Sequence, residues 1–218
     1  MFNKKTINDY DITGKTVLLR ADYNVPLDDN ASVTSSYRLT QSVPTIKALL
    51  KENCKIVIIS HLGRPKSKED TQFSLKPVAK ELSNLLDQPV LFANDCTGED
   101  VANAAKSLKP KEILLLENLR FYPEEKQNDN DFAQKLVDAS QADVFVQDGF
   151  GVVHRAHAST DAITKLLPSI SGLLLEKEVS IITKVMKDPK RPLMAIIGGA
   201  KIADKITIID EFIKKADI

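Results

Sequence analysis

Lys55–Pro65 reads KIVIISHLGRP, and its first half limits the fold more than any other stretch of the chain. Ile56–Ile59 is unbroken, apolar and rich in β-branched residues, and it is too short for a helix. It predicts a strand buried on both faces, the kind found almost only in parallel sheets. A parallel sheet gathers its ligand crevice at the carboxyl ends of its strands. Ser60, His61, Leu62, Gly63, Arg64 and Pro65 follow this end directly, and Gly63 lets the backbone turn there without a Cβ.

The same grammar recurs along the chain. Thr16–Arg20, Val90–Phe92, Ile113–Leu116 and Val144–Val146 read as further short strands. Helical patterns separate them: Arg38–Leu50, Ser74–Leu86, a segment near Asp100–Leu108, and Asp131–Ala139. Strands alternating with helices across short loops predict an α/β protein with a doubly wound, Rossmann-like, three-layer parallel sheet. Ser35 and Ser36 read as helix N-caps and Ser74 as another, while Pro44 either kinks its helix or opens the main part of it. Ser171–Lys187 reads as one helix, ended by the Pro-bracketed linker Asp188–Pro192. A new unit then begins with strand Leu193–Ile197, the turn Gly198-Gly199-Ala200-Lys201, and an amphipathic helix through Lys215. One strand and one helix cannot bury an independent core, so this second α/β domain is expected to be incomplete within the chain.

Charge and cysteine content remove several functions. Lys+Arg and Asp+Glu are both 30, which argues against a general nucleic-acid or membrane surface. Two cysteines without CxxC spacing favour a reducing compartment, and the polar start lacks the apolar core of a signal peptide. The expected setting is cytoplasmic. No stretch approaches the roughly 20 apolar residues of a membrane span. The histidines lack cysteine or acidic partners at ligand spacing, so no metal site is expected of them. The first strand is not followed by GxGxxG, and GGAK is not a Walker A loop.

The arginines are placed unlike the lysines. Only six of the 30 basic residues are Arg, and Arg20, Arg64, Arg120 and Arg155 lie at or shortly after the end of an apolar run. Arg38 sits near a helix start, where the macrodipole disfavours a cation. The planar guanidinium fork matches carboxylate and phosphate oxygens, so this segregation points to an anion site. Asp22 and Asn24 alternate on an extended stretch after the first strand and can orient a hydroxyl or carboxylate, although turn chemistry accounts for them equally well. Gly198-Gly199 between strand and helix frees backbone N–H groups for a phosphate, with Lys201 and Lys205 on one helical face; close helix–sheet packing explains the glycines as well.

RADYNVP (Arg20–Pro26), SHLGRP (Ser60–Pro65), LLENLRFYPEE (Leu115–Glu125), DGFGVVHRAHAST (Asp148–Thr160) and IIGGAKIADKI (Ile196–Ile206), in this order and spacing, resemble phosphoglycerate kinase. The resemblance implies reversible phosphoryl transfer between 1,3-bisphosphoglycerate and MgADP, giving 3-phosphoglycerate and MgATP. It divides the chain into a substrate-binding N-terminal domain (1–170), an interdomain helix and hinge (171–192), and the beginning of a nucleotide-binding domain (193–218). It implies that Asp22 and Asn24 hold the glycerate hydroxyl and carboxylate, and that His61, Arg64, Arg120 and Arg155 form a basic patch on the non-transferring phosphate. Tyr23, Leu62 and Gly63 are implied as further substrate-binding positions. Arg38 and Lys201 are the implied catalytic pair, and Gly199, Ala200, Lys201 and Lys205 the implied nucleotide-phosphate contacts. Mg2+ is expected to arrive with ADP or ATP on ligands outside this chain, and the protein to be a monomer.

Tyr23, Gln147, Gly149 and Val152-Val153 depart from the family's usual Phe, Asn, Ala and Thr-Ala; none removes a charge from the implied site. Family members are roughly twice as long, so the 218 residues alone are expected to turn over little or no substrate. A non-catalytic module that binds a phosphorylated metabolite is the alternative.

Overall fold

The structure, a computed structural model, describes residues 3–198 and 206–218. It divides into two compact units, one from Lys4 to Glu176 and the other containing Lys177 to Ile218. The first unit carries β1 (Thr16–Arg20), α1 (Tyr37–Lys51), β2 (Lys55–Ile59), α2 (Lys76–Leu86), β3 (Val90–Phe92), α3 (Glu99–Ser107), β4 (Ile113–Leu115), α4 (Asn130–Ser140), β5 (Val144–Gln147) and β6 (Ser169–Ser171). Helix α5 (Leu173–Lys187) spans the boundary, and α6 (Ile206–Ile213) lies in the second unit.

The six strands form one sheet in the order β3-β4-β2-β1-β5-β6, with every pairing parallel. Period-two alternation divides their side chains between two cores. Val17, Leu19, Ile56, Ile58, Ile113, Val144 and Val146 pack with α1 and α2 on one face. Leu18, Val57, Ile59, Leu114 and Phe145 pack with α3 and α4 on the other. This is the expected three-layer architecture.

The layering decides where a ligand can enter. β1 and β2 lead into helices on the first face, whereas β3 and β4 lead into helices on the second. After β5 the chain joins the second core through Ala158, Ala162 and Ile163. The neighbours β4 and β2, and likewise β1 and β5, therefore send the chain to opposite faces. Such switch points open a crevice at the carboxyl ends of the strands.

Several local expectations change. α1 runs without interruption through Pro44, and Ser36 holds the N-cap position without a side-chain capping bond. α2 begins at Lys76 with Leu75 at the cap; Ser74 Oγ accepts from Lys76 N–H at 3.2 Å and donates to Glu117 Oε2 at 2.7 Å. β6 was not expected, and because it takes Ser169–Ser171, α5 starts at Leu173 rather than Ser171. The expected strand Leu193–Ile197 is not a strand: its backbone partners are confined to Asp217 N–H and Ile218 N–H on Leu193 O (2.8 and 3.3 Å) and Ala195 N–H on Ile218 O (3.0 Å) among the described residues. A regular strand needs a continuous neighbouring ladder, and this segment has only its first rungs.

Asp148, one residue past β5, is 1% exposed and accepts from Leu174 and Leu175 N–H at 3.0 and 3.2 Å, so a loop carboxylate serves the start of α5. Burial outweighs these bonds and pushes its pKa up to about 6. Between the ordinary carboxylate value and 6 the folded chain holds a proton that the unfolded chain does not, so stability rises as pH falls through this window. The expected gain on acidification from pH 7 to 4.5 is on the order of 2 kcal/mol from this group. Urea unfolding across that range checks it, since Asp148→Asn should flatten this contribution; an unchanged slope would refute it.

Candidate functional site

Four loops, each leaving the carboxyl end of a different strand, enclose a cleft of about 240 Å³. Asp22 and Asn24 come from the loop after β1, His61, Gly63 and Arg64 from that after β2, Arg120 from that after β4, and Gly151, Val152 and Arg155 from that after β5; Arg38, on the first turn of α1, completes the wall. The volume is below the roughly 300–1,000 Å³ usual for drug-sized ligands, so the cleft suits a small molecule. A groove of about 640 Å³ between residues 30–33 and α2 is larger. Lys76, Lys80 and Glu81 give it charges of both signs and it contains no arginine, whereas guanidinium groups converge on the smaller cleft.

Hydrogen bonds between loops hold these residues in register. Asn118, fully buried, accepts from Leu62 N–H (3.2 Å) and Arg120 N–H (3.0 Å) and donates to Leu62 O (2.7 Å) and Phe73 O (2.9 Å). It fastens the loop after β2 to the loop after β4. Arg120 Nη1 donates to Gly63 O at 2.7 Å, and Asn24 Oδ1 accepts from Gly63 N–H at 2.8 Å. Gly63 has φ +59°, and a Cβ there would lie 2.3 Å from the Phe73 ring, so glycine is required on both counts. Lys68 Nζ reaches Asp95 Oδ2 (2.9 Å) and the Tyr122 hydroxyl (2.7 Å), tying the segment after Arg64 to the one after Arg120.

Positive charge dominates the cleft. Arg38 Nη1 meets Asp22 Oδ1 at 2.7 Å, while Arg64 and Arg155 make no ion pair with a carboxylate among the described residues. Burial and then the charges of Arg155 and Arg20 depress Arg120. His61, 2% exposed, is held far below the usual histidine range by burial first and then by Arg20, Arg120, Arg155 and Arg38. It is therefore neutral at physiological pH. His61, expected as a member of the basic patch, therefore offers a hydrogen bond and not a charge.

Other expected residues are placed differently. Tyr23 does not face the cleft: its ring is buried in the first core, and its hydroxyl meets Ser42 Oγ at 2.9 Å. Leu62 is likewise buried and contributes its backbone to Asn118. Gly199, Ala200, Lys201 and Lys205 lie outside the described residues. Glu125 and Ser159, which carry the support behind His61, were not picked out from the sequence. Neither is charged in the pattern of the arginines, and their partners are distant in the chain. At Gly151 a Cβ would come within 2.4 Å of Asp22 Oδ2, so the loop after β5 closely approaches that carboxylate, whose side chain would have to shift for any larger residue.

Among the described residues no group of three or more His, Cys, Asp or Glu side chains could hold a metal ion, and no helix is long and apolar enough to cross a membrane.

Comparison with known proteins narrows the reading. The phosphoglycerate kinase family model matches residues 7–218. Curated relatives named phosphoglycerate kinase include those of Desulforudis audaxviator, 50% identical over 214 residues, and Moorella thermoacetica, 49% identical over 214 residues; each alignment covers 98% of this chain and 54% of the relative. Among solved structures, phosphoglycerate kinase from Pyrococcus horikoshii aligns with a TM-score of 0.88 at 31% identity, over 98% of this chain and 54% of that one. The enzyme from Coxiella burnetii aligns with a TM-score of 0.83 at 31% identity, over 98% and 53%. The chain thus spans about half the length of the relatives it matches.

Proposed function

This chain belongs to the phosphoglycerate kinase family, and from that premise we propose that its cleft binds 3-phosphoglycerate and 1,3-bisphosphoglycerate for phosphoryl exchange with MgADP and MgATP. The observation that carries the reading is the convergence of Arg38, Arg64, Arg120 and Arg155, from four separate segments, on one small cleft with a single carboxylate, Asp22.

Arg64, Arg120 and Arg155 provide charge and directed donors for the phosphate that is not transferred, and His61 adds a neutral N–H. Asp22, an acceptor, takes the substrate hydroxyl. Asn24 Oδ1 is already engaged by Gly63, which leaves its amide N–H groups for the substrate carboxylate. Arg38 is half exposed at the rim and within reach of Asp22, and is assigned to the transferring phosphoryl group. In that transfer the bond from phosphorus to the acyl oxygen breaks, a bond to the terminal ADP oxygen forms, and the carboxylate leaves. Phosphoryl transfer needs alignment and positive charge on the equatorial oxygens more than a covalent nucleophile, and the residue types here match that need. Mg2+ belongs to the nucleotide substrate. Nucleotide contacts at Gly199, Ala200, Lys201 and Lys205, and a catalytic role of Lys201 together with Arg38, rest on the family motif.

Calorimetric titration of the folded 218-residue chain with 3-phosphoglycerate tests the reading. Saturable binding is expected, weakened by roughly ten- to a hundredfold in a folded Gly151→Ala variant, whose added methyl group should push Asp22 aside. A folded chain with no affinity for 3-phosphoglycerate would refute it.

A further inference from the structure

Beside the cleft lies a polar cluster of Arg20, Glu125, His157 and Ser159, none of which lines it. Arg20, the last residue of β1, is 1% exposed. Its Nε donates to Ser159 Oγ at 2.8 Å, one terminal nitrogen donates to Ala21 O, and Nη2 lies 3.2 Å from His61 Nδ1. Glu125, fully buried, accepts from Ser159 Oγ at 2.6 Å and Ser159 N–H at 3.0 Å, and its Oε1 stands 3.9 Å from Arg20 Nη2. His157 Nδ1 lies 3.5 Å from the same oxygen. Arg20 is therefore fixed along its edge and terminal nitrogens by groups from three different segments.

The consequence falls on His61. A guanidinium can only donate, so the ring nitrogen it meets must be an acceptor. With Nδ1 accepting, the neutral ring carries its proton on Nε2. That nitrogen stands 3.9 Å from Asp22 Oδ1, too far for a hydrogen bond, and both residues line the cleft. We infer that Arg20, braced by Ser159 and Glu125, is a positioning residue that locks His61 as the Nε2–H tautomer, so that a neutral imidazole presents one unengaged donor to the bound anion. The inference rests on the cleft being the acidic-substrate site. It gives Arg20 a role unlike that of the other arginines: it acts through His61 and does not touch substrate.

The tautomer can be read without ligand, by long-range nitrogen–proton correlation spectra of the 15N-histidine-labelled chain from pH 5 to 8. His61 is expected to show a protonated Nε2, a bare Nδ1 and no titration in this range. A proton on Nδ1, or titration near the ordinary value of about 6.5, overturns the inference without any variant being made. Arg20→Met removes the donor at similar length. In the folded variant the second tautomer or a titrating ring is expected, with 3-phosphoglycerate affinity reduced about tenfold or more. An unchanged tautomer in folded Arg20→Met also overturns the inference; if that variant fails to fold, the wild-type tautomer decides. The substrate reading fails separately. A locked Nε2–H tautomer in a chain that ignores 3-phosphoglycerate sinks the ligand assignment and supports the positioning role, and binding with His61 as the Nδ1–H form does the reverse.

Discussion

Arg120→Ala is expected to weaken binding of 3-phosphoglycerate by about 2–5 kcal/mol, the range for truncating one partner of a buried, hydrogen-bonded charge pair. Arg120 is only 9% exposed and its guanidinium faces Gly63 O, so a phosphate held there is held in a partly desolvated place. Two contributions add. The anion loses a directed cation, and Gly63, whose backbone also serves Asn24, loses one of its anchors. Arg64→Ala and Arg155→Ala remove solvent-exposed groups, so each should cost less than Arg120→Ala. Calorimetric titration of the three variants, with urea unfolding beside it, separates ligand binding from scaffolding. A variant that lost stability but kept its affinity would mean that Arg120 serves the fold alone.

The largest effect on stability is expected at Glu125. Burial by itself raises its carboxyl, but the bond from His157, the charge of Arg20 and the two bonds from Ser159 more than offset it and hold the group below the usual carboxylate range. Glu125→Gln keeps an acceptor for Ser159 and removes the countercharge of a fully buried guanidinium. Breaking a buried pair in this way costs about 3–5 kcal/mol, or roughly 6–20 °C in Tm for a domain of this size. The sign with pH is opposite to that of Asp148: with the folded value depressed, the stabilisation is complete above the unfolded value and lost as pH falls through the lower folded one. Replacing both partners, Arg20→Met with Glu125→Leu, should recover much of the stability, because two apolar groups remove the penalty of the stranded charge. Thermal unfolding of the single and double variants decides it; a double variant as unstable as the single would show that packing, not charge, sets the cost.

These two residues also show how far the sequence could be read. The inner strands β1, β2, β4 and β5 were legible because each is a short apolar run buried on both faces, and the loops carrying Arg64, Arg120 and Arg155 were legible because a side chain just past such a run must lie at the sheet edge. Arg20 and Arg64 look alike by that rule. They differ because Arg20 is still inside β1 and is captured by Ser159, 139 residues away, a contact that no local pattern announces. The charge state of His61 was hidden for the same reason, being set by burial and by four guanidinium groups from distant segments rather than by its neighbours in the chain. β6 escaped because Ser-Ile-Ser is too short to carry a readable alternation; it is a strand only because β5 lies beside it.

The sheet order has a consequence for synthesis. β1 sits between β2, which follows it closely, and β5, whose Val144 pairs with Val17. Until Gln147 has left the ribosome, one edge of β1, one of the two central strands, remains an open template. At about 5–20 residues per second that exposure lasts on the order of ten seconds. An apolar, unpaired edge is what aggregation and chaperone capture act upon. The nascent chain cannot assemble the anion cleft in this interval, because Gly151 and Arg155 lie beyond the strand that closes the edge. Ligand can therefore rescue a stalled fold only after the most vulnerable period has passed.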